Sequence, residues 1–388
     1  MTKPIDVKPK TTFSKKLQET KRYKELSNLK NAYYELSLSK EKKQQQYLLF
    51  NGFKNLNTNQ FENINYSWEK EYKKYAKLVE QRAYTIEEMV RRENEKLVDL
   101  NDEYLDENEF VKIFSTITLP SEYHPFKSCS NKNGRMYVQE NPNFAFETIE
   151  DAIKLGYKKL NEIYQVFYKR VKNYTKKDLY YIKAVEFHET LIPHIHIVLF
   201  FRKKHFFKIH NLFNKVTNFY NLTRKEFESS SMKDNLHSAS RYLIKYIIKD
   251  LNNSKFIYIT RLLDGLKRKN KIRAFSSTIL PLTVGVYKKI YFVLQHLDLK
   301  EKILQECKYK KIPIYLYIQD NLYLRKTVSK SDGSNVVKEF GGRNSLFKAN
   351  FDYKKEGKDF KLVDFTIKYK PKIISKKQSY LKFSIQGG

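Results

Sequence analysis

The segment Pro193-His194-Ile195-His196-Ile197-Val198-Leu199-Phe200 sets two imidazoles two residues apart inside an apolar run. On a strand, residues i and i+2 share a face and lie roughly 6–7 Å apart, so both rings can serve one metal ion. With eight histidines in 388 residues, chance supplies only roughly 0.16 such pairs, which makes the pair informative although a solvent-facing strand would also accommodate it. A third ligand has to come from a neighbouring element. The preceding strand-like run offers Glu186 near its end, with His188 and Glu189 in the turn that follows. Any of the three can reach such an ion, and Glu186 is preferred. Imidazoles with a carboxylate and open positions suit a catalytic divalent cation better than a closed, cysteine-rich structural zinc.

A second group is Arg241-Tyr242-Leu243-Ile244-Lys245-Tyr246-Ile247-Ile248-Lys249-Asp250. In a helix Tyr242 and Tyr246 are i, i+4 neighbours, and Lys245 and Lys249 lie close to that face. Thirty tyrosines would give roughly two Tyr-x3-Tyr pairs by chance, so the spacing alone also describes an aromatic core stripe. A phenol with pKa near 10 is a poor nucleophile at neutral pH unless nearby cations favour phenolate, and the lysines supply them. A metal that binds a phosphodiester's non-bridging oxygens would stabilise the anionic transition state. Together these parts would cut DNA by transesterification, leaving a phosphotyrosyl enzyme and a free hydroxyl.

The elements that must position these groups can be read from hydrophobic periodicity. Val111, Ile113, Ser115, Ile117 and Leu119 alternate with Lys112, Phe114, Thr116 and Thr118, a strand that ends at Pro120. A helix is expected over Thr148 to Val171, and then strands over Tyr180 to Phe187 and His194 to Phe201, joined as a hairpin. Asn235 to Leu251 reads as helix, and Phe256 to Thr260 and Ile272 to Ser277 read as strands. The order predicts an α+β fold with helices on an antiparallel sheet. Upstream, Lys15 to Leu38 and Glu69 to Asn101 have the composition of exposed amphipathic helices without chemistry of their own. Downstream, Ile312 to Ile318 and Leu362 to Tyr369 read as strands of a small β-rich module, separated by Ser331-Asp332-Gly333 and Gly341-Gly342. The expected organisation is a basic helical extension over 1–105, a catalytic domain over 106–300 and a C-terminal module over 301–388.

Formal net charge is +32 and the pI is near 9.7, which points to a polyanionic partner, nucleic acid first. A lysine-rich proteome explains part of this excess but not the shortage of balancing acids. Mean hydropathy of −0.67 and the lack of a long apolar span argue against the membrane. No secretory signal is read at the N-terminus, and Cys129 and Cys307 form no paired motif, so the bacterial cytoplasm is the expected setting. Gly357-Lys358 is followed by Asp359 and lacks the glycine spacing of a phosphate loop, so no built-in helicase is expected.

Three ordered motifs resemble the HUH single-strand endonucleases, and among them the bacteriophage gene A type of two-tyrosine rolling-circle replication initiator. Ser115-Thr116-Ile117-Thr118-Leu119-Pro120-Ser121-Glu122-Tyr123-His124-Pro125 resembles the first motif. Pro193 to His196, preceded by Glu186-Phe187-His188, is similar to the His-hydrophobic-His motif, and Tyr242 to Lys249 to the doubled Tyr-x2-Lys motif. One departure is the turn before Pro193, which reads Thr190-Leu191-Ile192 where the family usually has a glycine. The resemblance spans roughly residues 110 to 280 and implies an RRM-like sheet with His194 and His196 on a central strand. It further implies Mg²⁺ or Mn²⁺, a 5′-phosphotyrosine at the nick, a 3′-hydroxyl primer, and origin DNA, a host helicase and a DNA polymerase as partners. A relaxase or transposase of the same chemistry is the nearest alternative, and a non-enzymatic basic DNA-binding protein is an alternative of a different class.

Overall fold

A computed structural model describes residues 13–50, 53–54, 61–62, 66–97, 107–130, 136–222, 225–230, 254–296, 300–342, 344–357 and 359–369. The chain divides into two compact units, Met1–Ala83 with Met89–Thr278, and Tyr84–Glu88 with Ile279–Gly388. Among the described residues, no helix is long and apolar enough to cross a membrane.

In chain order the first unit contains α1 (Lys21–Phe50), α2 (Trp68–Glu95, apart from Tyr84–Glu88), β1 (Phe110–Thr118), β2 (Phe126–Ser130), β3 (Met136–Glu140) and α3 (Ile149–Thr175). It continues with β4 (Leu179–Phe187), β5 (Pro193–Arg202), α4 (Phe206–Phe219), β6 (Lys225–Ser230), α5 (Ser254–Lys269) and β7 (Phe275–Ser277). Five strands form one sheet in the order β6-β1-β5-β4-β7, every neighbouring pair antiparallel. This is the α+β architecture expected from the pattern. The histidine-bearing β5 is the middle strand, which is why its run from Pro193 to Phe201 is buried throughout.

Alternation sorts the side chains onto two faces. Ile113 and Ile117 of β1 and Ile195, Ile197, Leu199 and Phe201 of β5 belong to a core shared with Ile153, Leu160, Ile163 and Phe167 of α3. Those α3 positions recur every three to four residues, the helical period. The helix starts where Thr148 caps it, its hydroxyl accepting from the Asp151 N–H at 3.1 Å, and ends where Lys176 turns left-handed at φ 53°. At about 1.5–3 kcal/mol for each fully buried Leu, Ile or Phe, this face anchors the sheet and leaves the opposite face of β5 to carry His194 and His196.

Several elements differ from expectation. Phe256 to Thr260 lies in helix α5, not in a strand. Its β-branched and aromatic residues favour strand locally, but Leu262 and Leu266, both buried in the core, extend the run into a helical period. Ile272 to Ser277 shortens to a strand of three residues, Phe275–Ser277. The N-terminal helix is no solvated extension, because Leu26 and Tyr33 of α1 are buried in the same core.

The α1–α5 crossing explains this placement. Asp264 accepts from the Ser37 hydroxyl at 3.1 Å and from the Trp68 indole N–H at 3.0 Å. A Cβ added to Gly265 would lie 1.8 Å from the Tyr33 carbonyl oxygen, so the two backbones touch where only glycine fits. Gly265→Ala must therefore push the helices apart, and a loss of about 3 kcal/mol or more is expected. Urea unfolding would show it as a lowered midpoint. Gly285→Ala, whose Cβ meets nothing within 4 Å, should leave the midpoint within error or slightly raise it.

The second unit contains three helices, Val284–His296, Lys300–Tyr309 and Ile314–Asp320, followed by a four-stranded sheet. Ile312 to Ile318, expected as a strand, is largely the third of these helices. Every residue from Ile314 to Gln319 is buried, so no helical periodicity marks it. The expected strand at Leu362 to Tyr369 lies within Asp359–Tyr369.

Candidate metal centre

Strand register builds the centre. In the β4–β5 pair Glu186 faces His194 directly, and Ala184 faces His196. On the other side of β5, Thr118 of β1 faces His194 and Thr116 faces His196. All of these side chains share one face. A single carboxylate oxygen, Glu186 Oε2, lies 2.9 Å from His194 Nε2 and 3.0 Å from His196 Nε2. Both imidazoles are buried, and Glu186 is nearly so.

The donor set suits a small divalent cation. Adjacent ligands on an octahedral ion with bonds of about 2.0–2.1 Å are roughly 3 Å apart, the separation found from Glu186 Oε2 to each ring nitrogen. Coordination through Nε2 requires the proton on Nδ1. His196 Nδ1 then donates to Thr116 Oγ1 at 3.1 Å, and the Phe114 ring stacks on the same imidazole at 5.6 Å. His194 Nδ1 is buried without a hydrogen-bond partner among the described residues. Nothing nearby thus pulls the His194 proton onto Nε2.

Thr116 positions the His196 ring, a role its sequence pattern alone did not reveal. Only its place opposite His196 in the β1–β5 register exposes it. Thr116→Val keeps the volume and deletes the hydroxyl, and it should weaken Mn²⁺ affinity by about tenfold, within the range for partners that orient a ligand. Titration calorimetry with Mn²⁺ checks this, and unchanged affinity would remove Thr116 from the centre.

The two other candidate ligands lie beside this set. The His188 ring is centred 4.3 Å from that of His194. Glu189 lines an adjoining cleft and acts electrostatically on Lys30, whose ammonium burial pushes below its ordinary pKa. The turn that carries them closes through His188 N–H to the Ile192 carbonyl, at 3.0 Å, and Leu191 N–H to the His188 carbonyl, at 2.8 Å. Leu191 takes φ 66°, the left-handed conformation that favours glycine. The leucine keeps the turn while burying its side chain in the core. Since that burial is worth about 1.5–3 kcal/mol and the conformation costs about 1–2, a leucine can occupy the position without net loss.

Tyr242, Lys245, Tyr246 and Lys249, with the helix expected over Asn235 to Leu251, lie outside the described residues. The structure therefore brings together Glu186, His194 and His196.

An antiparallel sheet with a His-x-His pair on its middle strand and a facing glutamate defines an α+β protein with a candidate divalent-metal centre. Residues 147–251 match the family model for replication-associated proteins of the ORF2 type. The match, under half of the chain, runs from the start of α3 through Glu186, His194 and His196 and includes Tyr242 to Lys249, and it supports a replication-initiator family of the rolling-circle kind. Neither a curated protein nor a solved structure matches the chain significantly.

Proposed function

We propose that this protein initiates rolling-circle replication by nicking and rejoining single-stranded DNA at a specific origin. The observation that carries the reading is one carboxylate oxygen within 3.0 Å of both ring nitrogens of a His-x-His pair, inside a segment matched to replication-associated proteins.

Glu186, His194 and His196 would hold Mg²⁺ or Mn²⁺. The bound ion supplies charge to the scissile phosphate's non-bridging oxygens, which makes phosphorus more electrophilic. The phenolic oxygen of Tyr242 or Tyr246 attacks phosphorus, the bond from phosphorus to the 3′-oxygen breaks, and that oxygen leaves as a hydroxyl after taking a proton. The products are a 5′-phosphotyrosine and a 3′-hydroxyl primer. One phosphodiester has been exchanged for another ester, so the reverse attack rejoins the strand without a nucleotide cofactor. Lys245 and Lys249 favour the phenolate. With two tyrosines, the second can cut the regenerated origin while the first still holds the displaced strand. A separate host helicase and DNA polymerase would supply unwinding and extension in the bacterial cytoplasm.

The test is a denaturing gel of full-length protein incubated with Mn²⁺ and labelled single-stranded oligonucleotides tiling its own gene and flanks. A covalent band that survives boiling and is lost with EDTA is expected on one tile. Salt-dependent binding to every tile without an adduct on any would overturn the nicking reading.

A further inference from the structure

A cleft of about 390 Å³ adjoins the metal centre. We infer that it takes one unstacked nucleobase of the strand whose phosphate is presented to Glu186, His194 and His196, an inference that rests on the nicking reading above.

Position is the first argument. His188 lines the cleft, and its ring centre is 4.3 Å from that of His194 with the planes 30° apart. The cleft and the candidate ligand set thus share a wall. A strand with a phosphate at the centre has a flanking base within reach of the cleft.

Chemistry is the second. Flat rings form much of the lining: His188 and His124, centred 5.3 Å apart, and Phe126, held edge-on by Phe13 at 5.6 Å. Ser121 and Ser128 add hydroxyls that can both donate and accept. The charged residues in the lining are one cation, Lys127, and one anion, Glu189. In a chain of net charge +32, a cleft whose own charges cancel is poorly suited to a phosphate and well suited to an uncharged, planar ring with polar edges. Its volume is near the lower end of the ~300–1,000 Å³ usual for ligand sites, enough for a nucleoside and far too small for a duplex.

Preorganisation is the third. The buried Asn141 donates from Nδ2 to the Ser121 carbonyl at 2.7 Å and to the His124 carbonyl at 2.8 Å. His124 Nε2 lies 3.2 Å from the Leu119 carbonyl oxygen. Phe126, Ser128 and Val138 lie on one face of the β2–β3 hairpin. These contacts set the walls before a ligand arrives, which reduces the ordering cost of binding.

The experiment uses full-length wild type and Ser128→Trp, which fills the cleft from an exposed hairpin position, with Phe126→Ala as a second variant. The oligonucleotide that forms the covalent adduct is remade with one abasic residue moved a nucleotide at a time. In wild type, one position flanking the scissile bond should lose about tenfold in adduct rate, within the roughly 5- to 150-fold expected for one stacked base. Ser128→Trp should lose a similar factor on the intact strand and become insensitive to the abasic residue at that position. An identical abasic profile in both proteins overturns the inference.

A second readout needs no cleavage. With EDTA present, a strand carrying 5-iodouracil is irradiated and the cross-linked peptide mapped. Cross-linking to the peptide containing His124 and Phe126, lost in Ser128→Trp, supports the cleft as a base site, and its absence overturns it. Cross-linking without any adduct would overturn the nicking reading alone. If thymidine monophosphate displaces the strand at equal concentration, the cleft is a free-nucleotide pocket and the inference fails.

Discussion

Replacing Glu186 with alanine is expected to lower Mn²⁺-dependent adduct formation by about 10³-fold or more, while salt-dependent DNA affinity stays within about twofold. Glu186 supplies the only carboxylate oxygen placed against both ring nitrogens, at 2.9 and 3.0 Å. Its loss removes one of three donors and the only negative charge in the set, leaving two neutral imidazoles. A metal that stabilises charge on a transferring phosphoryl group is worth several kcal/mol, and about 4 kcal/mol corresponds to 10³-fold in rate. Overall DNA affinity should scarcely change, because it draws on a net charge of +32 spread over the chain.

The same substitution separates chemistry from folding. Without metal, Glu186 accepts hydrogen bonds from the imidazoles, so its removal also costs about 1–3 kcal/mol of stability from groups left unpaired. Glu186→Gln keeps the shape and an acceptor oxygen but loses the charge. The glutamine variant should therefore unfold near the wild-type urea midpoint and still fail to form the adduct at limiting Mn²⁺, and His194→Ala and His196→Ala should share the loss of activity. Wild-type Mn²⁺ dependence in Glu186→Gln would exclude the carboxylate from the centre.

How far the sequence led can be judged residue by residue. The strand at β1 was legible because one of its faces is core, so apolar and polar positions alternate from Val111 to Leu119. The hairpin β4–β5 was legible from two apolar runs six residues apart. Three residues, Glu186, His188 and Glu189, competed for one role because sequence spacing does not fix register. The pairing of Glu186 with His194 places that carboxylate on the histidine face. Thr116 went unread for the same reason, since its partner is 80 residues away. The failures at Phe256 to Thr260 and Ile312 to Ile318 come from tertiary context overriding local preference. The first is decided by a helix crossing at Gly265, and the second by burial of every residue from Ile314 to Gln319, which erases the period that would have marked a helix.

The double change Tyr242→Phe with Tyr246→Phe should leave no covalent adduct, a loss of about 10⁴-fold or more, with each single change retaining part of it. Phenylalanine deletes only the attacking oxygen, so packing and DNA binding should survive, and the boiled gel reports the loss directly. Tyrosines elsewhere are poorly placed to substitute. Among the described residues, those whose titration is displaced are all displaced upward, with burial the leading cause: Tyr33 is pushed up to about 12, and Tyr72, Tyr123, Tyr164 and Tyr287 are also raised. Burial disfavours the phenolate that a nucleophile needs. The sequence around Tyr242 and Tyr246 is of the opposite kind, with Lys245 and Lys249 each three residues after a tyrosine. Lys245→Ala should accordingly shift the adduct's pH dependence toward higher pH, because less cationic charge leaves the phenol harder to ionise. An adduct that persists in the double variant would place the nucleophile elsewhere. Peptide mapping would then decide whether Tyr123, in the turn beside the cleft, attacks despite its raised pKa.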